Sequence, residues 1–154
     1  MKVAVGADSR GFALKEYLKQ YLSSQGVEVV DFGAPSADPS DYPDYGRPVA
    51  EAVASGKADR GLTICWTGNG MNIVANKVHG IRAALALNPE MAQLARAHNN
   101  ANVLSLAAKY TPEADAKIIV DNFLKTPFDG GRHERRIEKI SAIEDAPATG
   151  QIKS

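Results

Sequence analysis

Apolar positions along the chain alternate between two rhythms. Short apolar-rich runs occur at residues 3–7, 27–32, 61–65, 82–86 and 102–106, each too brief for a helix. Strands buried on both faces read this way. Between them the spacing changes to that of a helix. Phe12, Leu14, Tyr17, Leu18, Tyr21 and Leu22 predict a helix over 12–24, with Asp8 or Ser9 as its cap and Gln25-Gly26 as its stop. Val49, Ala50, Val53 and Ala54 predict one over 45–55, closed by Gly56, after a Pro/Ser/Asp-rich loop at 34–44. Two glycines at 68 and 70 open a helix that runs to 77. Asn88-Pro89 starts another that ends near His98-Asn99-Asn100, and Thr111-Pro112-Glu113 starts a fifth that reaches 124.

Strand and helix alternating five times with short links predict a parallel sheet covered on both faces, in a doubly wound order. Ligands in such sheets lie beyond the carboxyl ends of the strands. The turns holding Asp8, Cys65 and His98 are expected to gather a carboxylate, a thiol and an imidazole on one edge of the sheet. A final amphipathic helix follows, with Ile137, Ile140 and Ile143 on one side. Its basic start carries Arg132 and Arg136, four apart on one face. That helix is expected either to pack on a neighbouring subunit or to fold back. Residues 1–145 read as one domain, and 146–154 as a frayed tail.

Composition narrows the classes of partner. The 154 residues carry 18 Lys+Arg against 18 Asp+Glu, so no net charge favours nucleic acid or a membrane surface. One cysteine rules out an internal disulfide framework and fits a reducing compartment. The N-terminus reads as a strand without a secretory apolar region, and no apolar run approaches a membrane span. A cytoplasmic enzyme or binding module is the expectation.

The chemistry concentrates in residues 62–72, Leu-Thr-Ile-Cys-Trp-Thr-Gly-Asn-Gly-Met-Asn. A strand runs into a glycine turn and a helix start, where free N–H groups receive an anion or a developing oxyanion. A thiol beside a helix N-terminus is a candidate nucleophile or base. Each residue also has a structural reading. Cys65 can be an inert buried thiol, Asp8 a helix cap, and His98 a partner of the helix dipole. Arg132 and Arg136 can be a solvated face, and Tyr42 a core-edge ring. His79 and His133 form no metal-ligand spacing with Cys65, so no metal is assigned. Taken together, the set suits proton transfer next to a carbonyl, with an enediolate held by backbone amides.

Cys65-x-Thr67-Gly68-x-Gly70, Ala75-Asn76-Lys77, Gly80-Ile81-Arg82-Ala83, His98-Asn99 with Asn102, and Gly130-Gly131-Arg132-His133 with Arg136 occur in this order. Over nearly the whole chain this pattern resembles the ribose-5-phosphate isomerase B family, whose relatives include galactose-6-phosphate and allose-6-phosphate isomerases. The resemblance implies a three-layer α/β/α Rossmann-like sandwich with a five-stranded parallel sheet and an extra C-terminal helix. It implies a metal-independent, cofactor-free aldose–ketose isomerase, dimeric or tetrameric, with its site at the subunit interface. By position, Cys65 would move the proton between C1 and C2 and Thr67 would assist at the oxygens. The amides from Gly68 through Asn69, Gly70 and Met71 to Asn72 would hold the enediolate. His98, with Asp8 nearby, would open the sugar ring. Tyr42 and Asn99 would bind hydroxyls, and Arg132 and Arg136, from the partner, the phosphate.

Three positions depart from the family pattern. Ser9 stands where a histidine follows the aspartate, Trp66 where a glycine follows the cysteine, and Lys109 where an arginine follows the fifth strand. Lysine binds phosphate without the bidentate fork of arginine, and Arg10 is a candidate for replacing the lost charge. Trp66 either stacks on a sugar or packs behind the site. The departures bear on which sugar phosphate, or free sugar, is used. Two readings from other classes fit less well. A Cys-x5-Arg phosphatase would need an arginine where Met71 stands, and a dinucleotide module would need a glycine where Ile73 stands.

Overall fold

The computed structural model describes residues 1–149, so positions 150–154 of the predicted tail lie outside the described residues. Five strands, β1 (Lys2–Ala7), β2 (Glu28–Asp31), β3 (Arg60–Cys65), β4 (Ala83–Leu85) and β5 (Val103–Ala107), form one parallel sheet in the order β2-β1-β3-β5-β4. Six helices follow the strands: α1 (Phe12–Ser24), α2 (Pro43–Ala54), α3 (Asn69–Asn76), α4 (Pro89–Asn99), α5 (Glu113–Lys125) and α6 (Arg132–Asp145). This is the expected α/β sandwich with an appended helix.

Boundaries moved where local chemistry overrode the apolar pattern. Helix α2 begins inside the predicted loop, because Pro43 suits a first helical position and Tyr42 caps it. Edge strands β2 and β4 are shorter than predicted, having a pairing partner on one side only. The α1 cap is Gly11, not Asp8 or Ser9.

The two faces of the sheet are packed differently. Val3, Val5, Leu62, Ile64, Leu104 and Leu106 point one way, into a core shared with Leu14, Leu18, Leu22, Ala92, Ile119 and Phe123 of α1, α4 and α5. The alternate positions are small: Ala4, Gly6, Gly61 and the hydrogen-bonded pair Thr63–Ser105, 2.8 Å apart and fully buried. Helix α2 therefore lies flush on the sheet. A Cβ at Gly6 would stand 2.5 Å from the Tyr45 carbonyl oxygen, and one at Gly61 2.8 Å from Val49 Cγ1. The same closeness seats α2 against α3, where Gly46 faces the Met71 sulfur. This carries the Tyr42 ring over the start of α3.

The chain leaves β1 to one side for β2 and returns on the other side for β3. Loops diverging from adjacent strands open a crevice at their carboxyl ends, the usual place for a ligand in this architecture.

Candidate active site

Three turns meet at that crevice and are tied by backbone hydrogen bonds. Asp8 N–H donates to Ile64 O (3.3 Å), Ala108 N–H to Cys65 O (2.9 Å) and Lys109 N–H to Trp66 O (2.9 Å). Asp8 is buried, and its Oδ1 accepts from the amides of Arg10 (3.1 Å) and Gly11 (3.0 Å). It holds the turn that precedes Gly11 and does not cap α1, against the capping expectation. Ser9 N–H donates to Ser40 Oγ (3.1 Å), so it ties this turn to the loop before α2.

Cys65 ends β3 with its side chain buried. The chain then swings through Gly68 at φ 78°, a left-handed conformation natural to glycine, and a Cβ there would strike Leu85 and the backbone of Leu106. Helix α3 starts at once, without a side-chain cap. Its first internal hydrogen bond is Asn72 N–H to Gly68 O (3.0 Å). The amides of Asn69, Gly70 and Met71 are therefore the unspent donors of the helix start. The Asn72 amide, expected in the cradle, is spent on the helix. The Asn72 side-chain Oδ1, an acceptor, is buried and has no hydrogen-bond partner among the described residues. Met71 contributes only its amide, because its side chain is fully buried against α2. Tyr42 reaches the cradle, with its ring 2.8 Å from where a Cβ on Gly70 would be. Thr67 is half-buried between Cys65 and this helix start.

Trp66, beside the thiol, is 39% exposed and faces outward. The Arg10 guanidinium lies 5.2 Å from the centroid of its ring and the Lys109 ammonium 6.0 Å, both within cation–π reach. Neither cation pairs with a described carboxylate. Two unpaired cations from two loops thus meet on one aromatic shelf at the mouth of the crevice.

His98 does not join them, against the expectation of a single edge. Helix α4 runs back against the strands, so its C-terminus lies at their amino ends. There Asn102 O accepts from Gly61 N–H (3.0 Å), and the Arg82 guanidinium donates to Asn99 O (3.1 Å) and Asn100 O (2.9 Å). Five residue steps along β3 separate Gly61's neighbour Arg60 from Cys65, about 16 Å at ~3.3 Å per residue. Within one chain, Asp8 is accordingly not near His98, and Asn99 is remote from the cradle.

The amino end has its own construction. Arg96 is buried and braces the end of α4 through Asn100 Oδ1 (2.9 Å) and Ala101 O (2.6 Å); burial first, then Arg60 and Arg82, pushes its pKa down to about 10. Asp129 N–H donates to Ala97 O (3.0 Å), which brings the start of α6 onto α4. The His133 ring then stacks on His98, with centroids 4.3 Å apart and planes 10° from parallel. Burial, followed by His98, Arg132 and Arg136, holds the His133 pKa below its ordinary value, with Asp129 opposing. Arg132 and Arg136 are exposed, and so are Ile140 and Ile143. Neither arginine pairs with a described carboxylate. At its far end α6 is latched by Glu144, whose two oxygens accept from Gly80 N–H at 2.9 and 3.0 Å.

His98, Asp129 and His133 each bring a potential ligand atom within 4.8 Å of the others, as do the exposed His79, Glu144 and Asp145. A cation needs nitrogen lone pairs that converge at ~2.1 Å. Rings stacked nearly parallel at 4.3 Å aim theirs along separate planes, so the pair does not present a converging ligand set. Sequence reasoning missed the stack. His133 lies 35 positions from His98, and its only signal was its place in the Gly-Gly-Arg-His motif.

A family model described as Ribose/Galactose Isomerase matches residues 3–140. The chain belongs to that family. It is 47% identical over 143 residues to ribose-5-phosphate isomerase B of Escherichia coli (strain K12), covering 93% of this chain and 96% of that relative. Among solved structures, ribose-5-phosphate isomerase B of Clostridium thermocellum superposes with a TM-score of 0.92 at 49% identity, over 94% of this chain and 97% of the other. The Mycoplasma genitalium ribose-5-phosphate isomerase B, with bound ribulose-5-phosphate, gives 0.91 at 40% identity, over 95% and 97%. The Ribose/Galactose Isomerase fold is thus the frame in which both ends of the sheet are to be read.

Proposed function

We propose that this chain is an aldose–ketose isomerase that interconverts ribose 5-phosphate and ribulose 5-phosphate, with Cys65 as the base. One observation carries the reading: the thiol of Cys65 closes β3 beside three unspent helix amides, at the crevice where β1 and β3 part. The thiolate takes the C2 proton of the open-chain aldose. The C2–H electrons become the C1=C2 bond, and the carbonyl electrons move onto O1. The amides of Asn69, Gly70 and Met71 hold that oxygen. Cys65 returns the proton to C1 while Thr67 relays the hydroxyl proton from O2 to O1, which leaves the ketone at C2. Only protons move, so the scheme calls on no metal or cofactor.

Arg10 and Lys109, held on Trp66, receive the phosphate from their own chain, with Ser9 in the same turn. Tyr42 and Asn72 bind hydroxyls. Ring opening falls to His98, with Asn99 alongside, and both come from a second copy of the chain together with Arg132 and Arg136. The separation of the two sets within one chain supports this, as does the unpartnered Ile140–Ile143 side of α6. The unit is then a homodimer or a homotetramer, a single catalytic domain over residues 1–145, working in the cytoplasm. No helix of the described residues is long and apolar enough to cross a membrane. Trp66 beside the thiol, Ser9 and Lys109 favour one second reading: the same chemistry on another four- to six-carbon sugar phosphate, or on a free sugar.

Proton NMR in D2O, with chelator present, on a panel of aldose phosphates and their free sugars tests both readings. Loss of the C2 proton with growth of ketose for ribose 5-phosphate alone supports the first, and another sugar the second. No exchange across the panel overturns both. Mixing Cys65→Ala with His98→Ala subunits tests the shared site. Random re-pairing makes half the dimers mixed, each with one intact site, so about a quarter of wild-type activity returns. No recovery from two inactive parents overturns the shared site.

A further inference from the structure

The His98–His133 stack is not used by the chemistry above, and its geometry is restrictive. Two imidazoles with centroids 4.3 Å apart and planes 10° from parallel cannot both be charged without strong mutual repulsion. The groups facing His133 are His98 from α4, Asp129 from the link before α6, and Arg132 and Arg136 from α6 itself. Three of these four disfavour a proton on His133, and the fourth, Asp129, lies within 4.8 Å of both rings.

We propose that His133 is a positioning residue for ring opening: its stacked ring fixes the plane of His98 and so sets that imidazole against the ring oxygen of the sugar. The role rests on the isomerase reading of the site. Opening the furanose breaks the C1–O4 bond. His98 supplies a proton to O4 while a solvent water takes the proton of the anomeric hydroxyl, and the C1 aldehyde forms. His98 needs a held ring and a proton to give, and it has a neighbour that cannot share its charge. His133 is 9% exposed and packed at the start of α6, so it is held from its own side as well.

The two sugars of the reaction separate this role from general damage. Ribose 5-phosphate closes through O4, whereas ribulose 5-phosphate would have to close through O5, which carries the phosphate. Exchange at C1 of ribulose 5-phosphate in D2O therefore reports proton transfer alone, and turnover of ribose 5-phosphate adds ring opening. His133→Ala is expected to lower ribose 5-phosphate turnover about 10–100-fold while C1 exchange stays within about threefold. His133→Phe, which keeps a flat ring on His98, is expected to fall less. A second readout is the His98 ring C–H chemical shift by NMR, which the stacked ring should hold upfield in the wild type and in His133→Phe and release in His133→Ala. Equal losses in turnover and exchange overturn the role, and so does a His98 ring shift that is unchanged in His133→Ala. A wild-type chain that exchanges no sugar proton overturns the isomerase reading, and the ring-opening role with it.

Discussion

The carboxyl and amino ends of the one sheet are built on opposite plans. At the carboxyl end, three short turns are bonded to each other and pressed against glycines: Gly11 on Ile64, Gly68 on Leu106, Gly70 on Tyr42. Every group there has its position set by its own chain. At the amino end the side chains are divided between α4, which carries His98 and Asn99, and α6, a helix exposed along most of its length and fastened at its two ends, by the His98–His133 stack and by Glu144 on Gly80. The lesson is one of division. The carboxyl-end groups are fixed by their own chain, whereas Arg132 and Arg136 of α6 are presented outward.

The largest expected effect breaks the carboxyl end chemically. Cys65→Ala removes the proposed base at the cradle, and C2 proton exchange on ribose 5-phosphate should fall by about 10³-fold or more. Phosphate-end binding should be little changed. Exchange that persists near the wild-type rate would remove Cys65 from the mechanism.

Glycine substitutions sharpen the contrast in rigidity. Gly68 and Gly130 both have positive φ, 78° and 69°, but an added Cβ strikes Leu85 and Leu106 at the first and meets nothing within 4 Å at the second. Gly68→Ala should cost about 2–4 kcal/mol of stability and lower exchange about 10²-fold, through displacement of the amides. Gly130→Ala should cost only about 1 kcal/mol, the backbone term alone. Chemical denaturation of the two variants checks this, and equal losses would mean that the two ends are equally tight.

How far the sequence discloses this division depends on whether a contact is local. The strand-turn-helix around Cys65, with its cradle of Asn69, Gly70 and Met71, is contained in ten residues and was legible. The placement of His98 followed from α4 preceding β5, yet counting a helix end with the strand ends put it on the wrong edge. The Arg10–Trp66–Lys109 shelf was illegible for a different reason. It depends on β1, β3 and β5 being neighbours, and the insertion of β5 between β3 and β4 is set by packing on the whole sheet. Likewise, the unsatisfied Asn72 oxygen is visible only once its surroundings are built.

The shelf gives the next prediction. Arg10→Gln removes one of two unpaired cations without touching the thiol or the amides. KM for the sugar phosphate should rise about three- to tenfold with kcat nearly unchanged. Trp66→Gly should raise KM comparably by releasing both cations from the ring. A fall in kcat at constant KM in either variant would place the shelf in the chemical step and blur the two ends.

The smallest effect concerns the amino end and pH. His133 has a pKa held below that of an unfolded histidine, by burial first and then by His98, Arg132 and Arg136. The folded chain therefore binds fewer protons there than the unfolded chain, so its stability falls as pH drops through about 6.5. Between about pH 7.5 and about pH 5.5 the wild type should lose a little more thermal stability than His133→Phe, which has no ring nitrogen to protonate. The carboxyl end contributes no such term to the difference, because both proteins share it unchanged. Identical pH dependence in the two proteins would mean that the charge around His133 is relieved by solvent or by the neighbouring subunit, and that α6 is held by its apolar contacts and Glu144 alone.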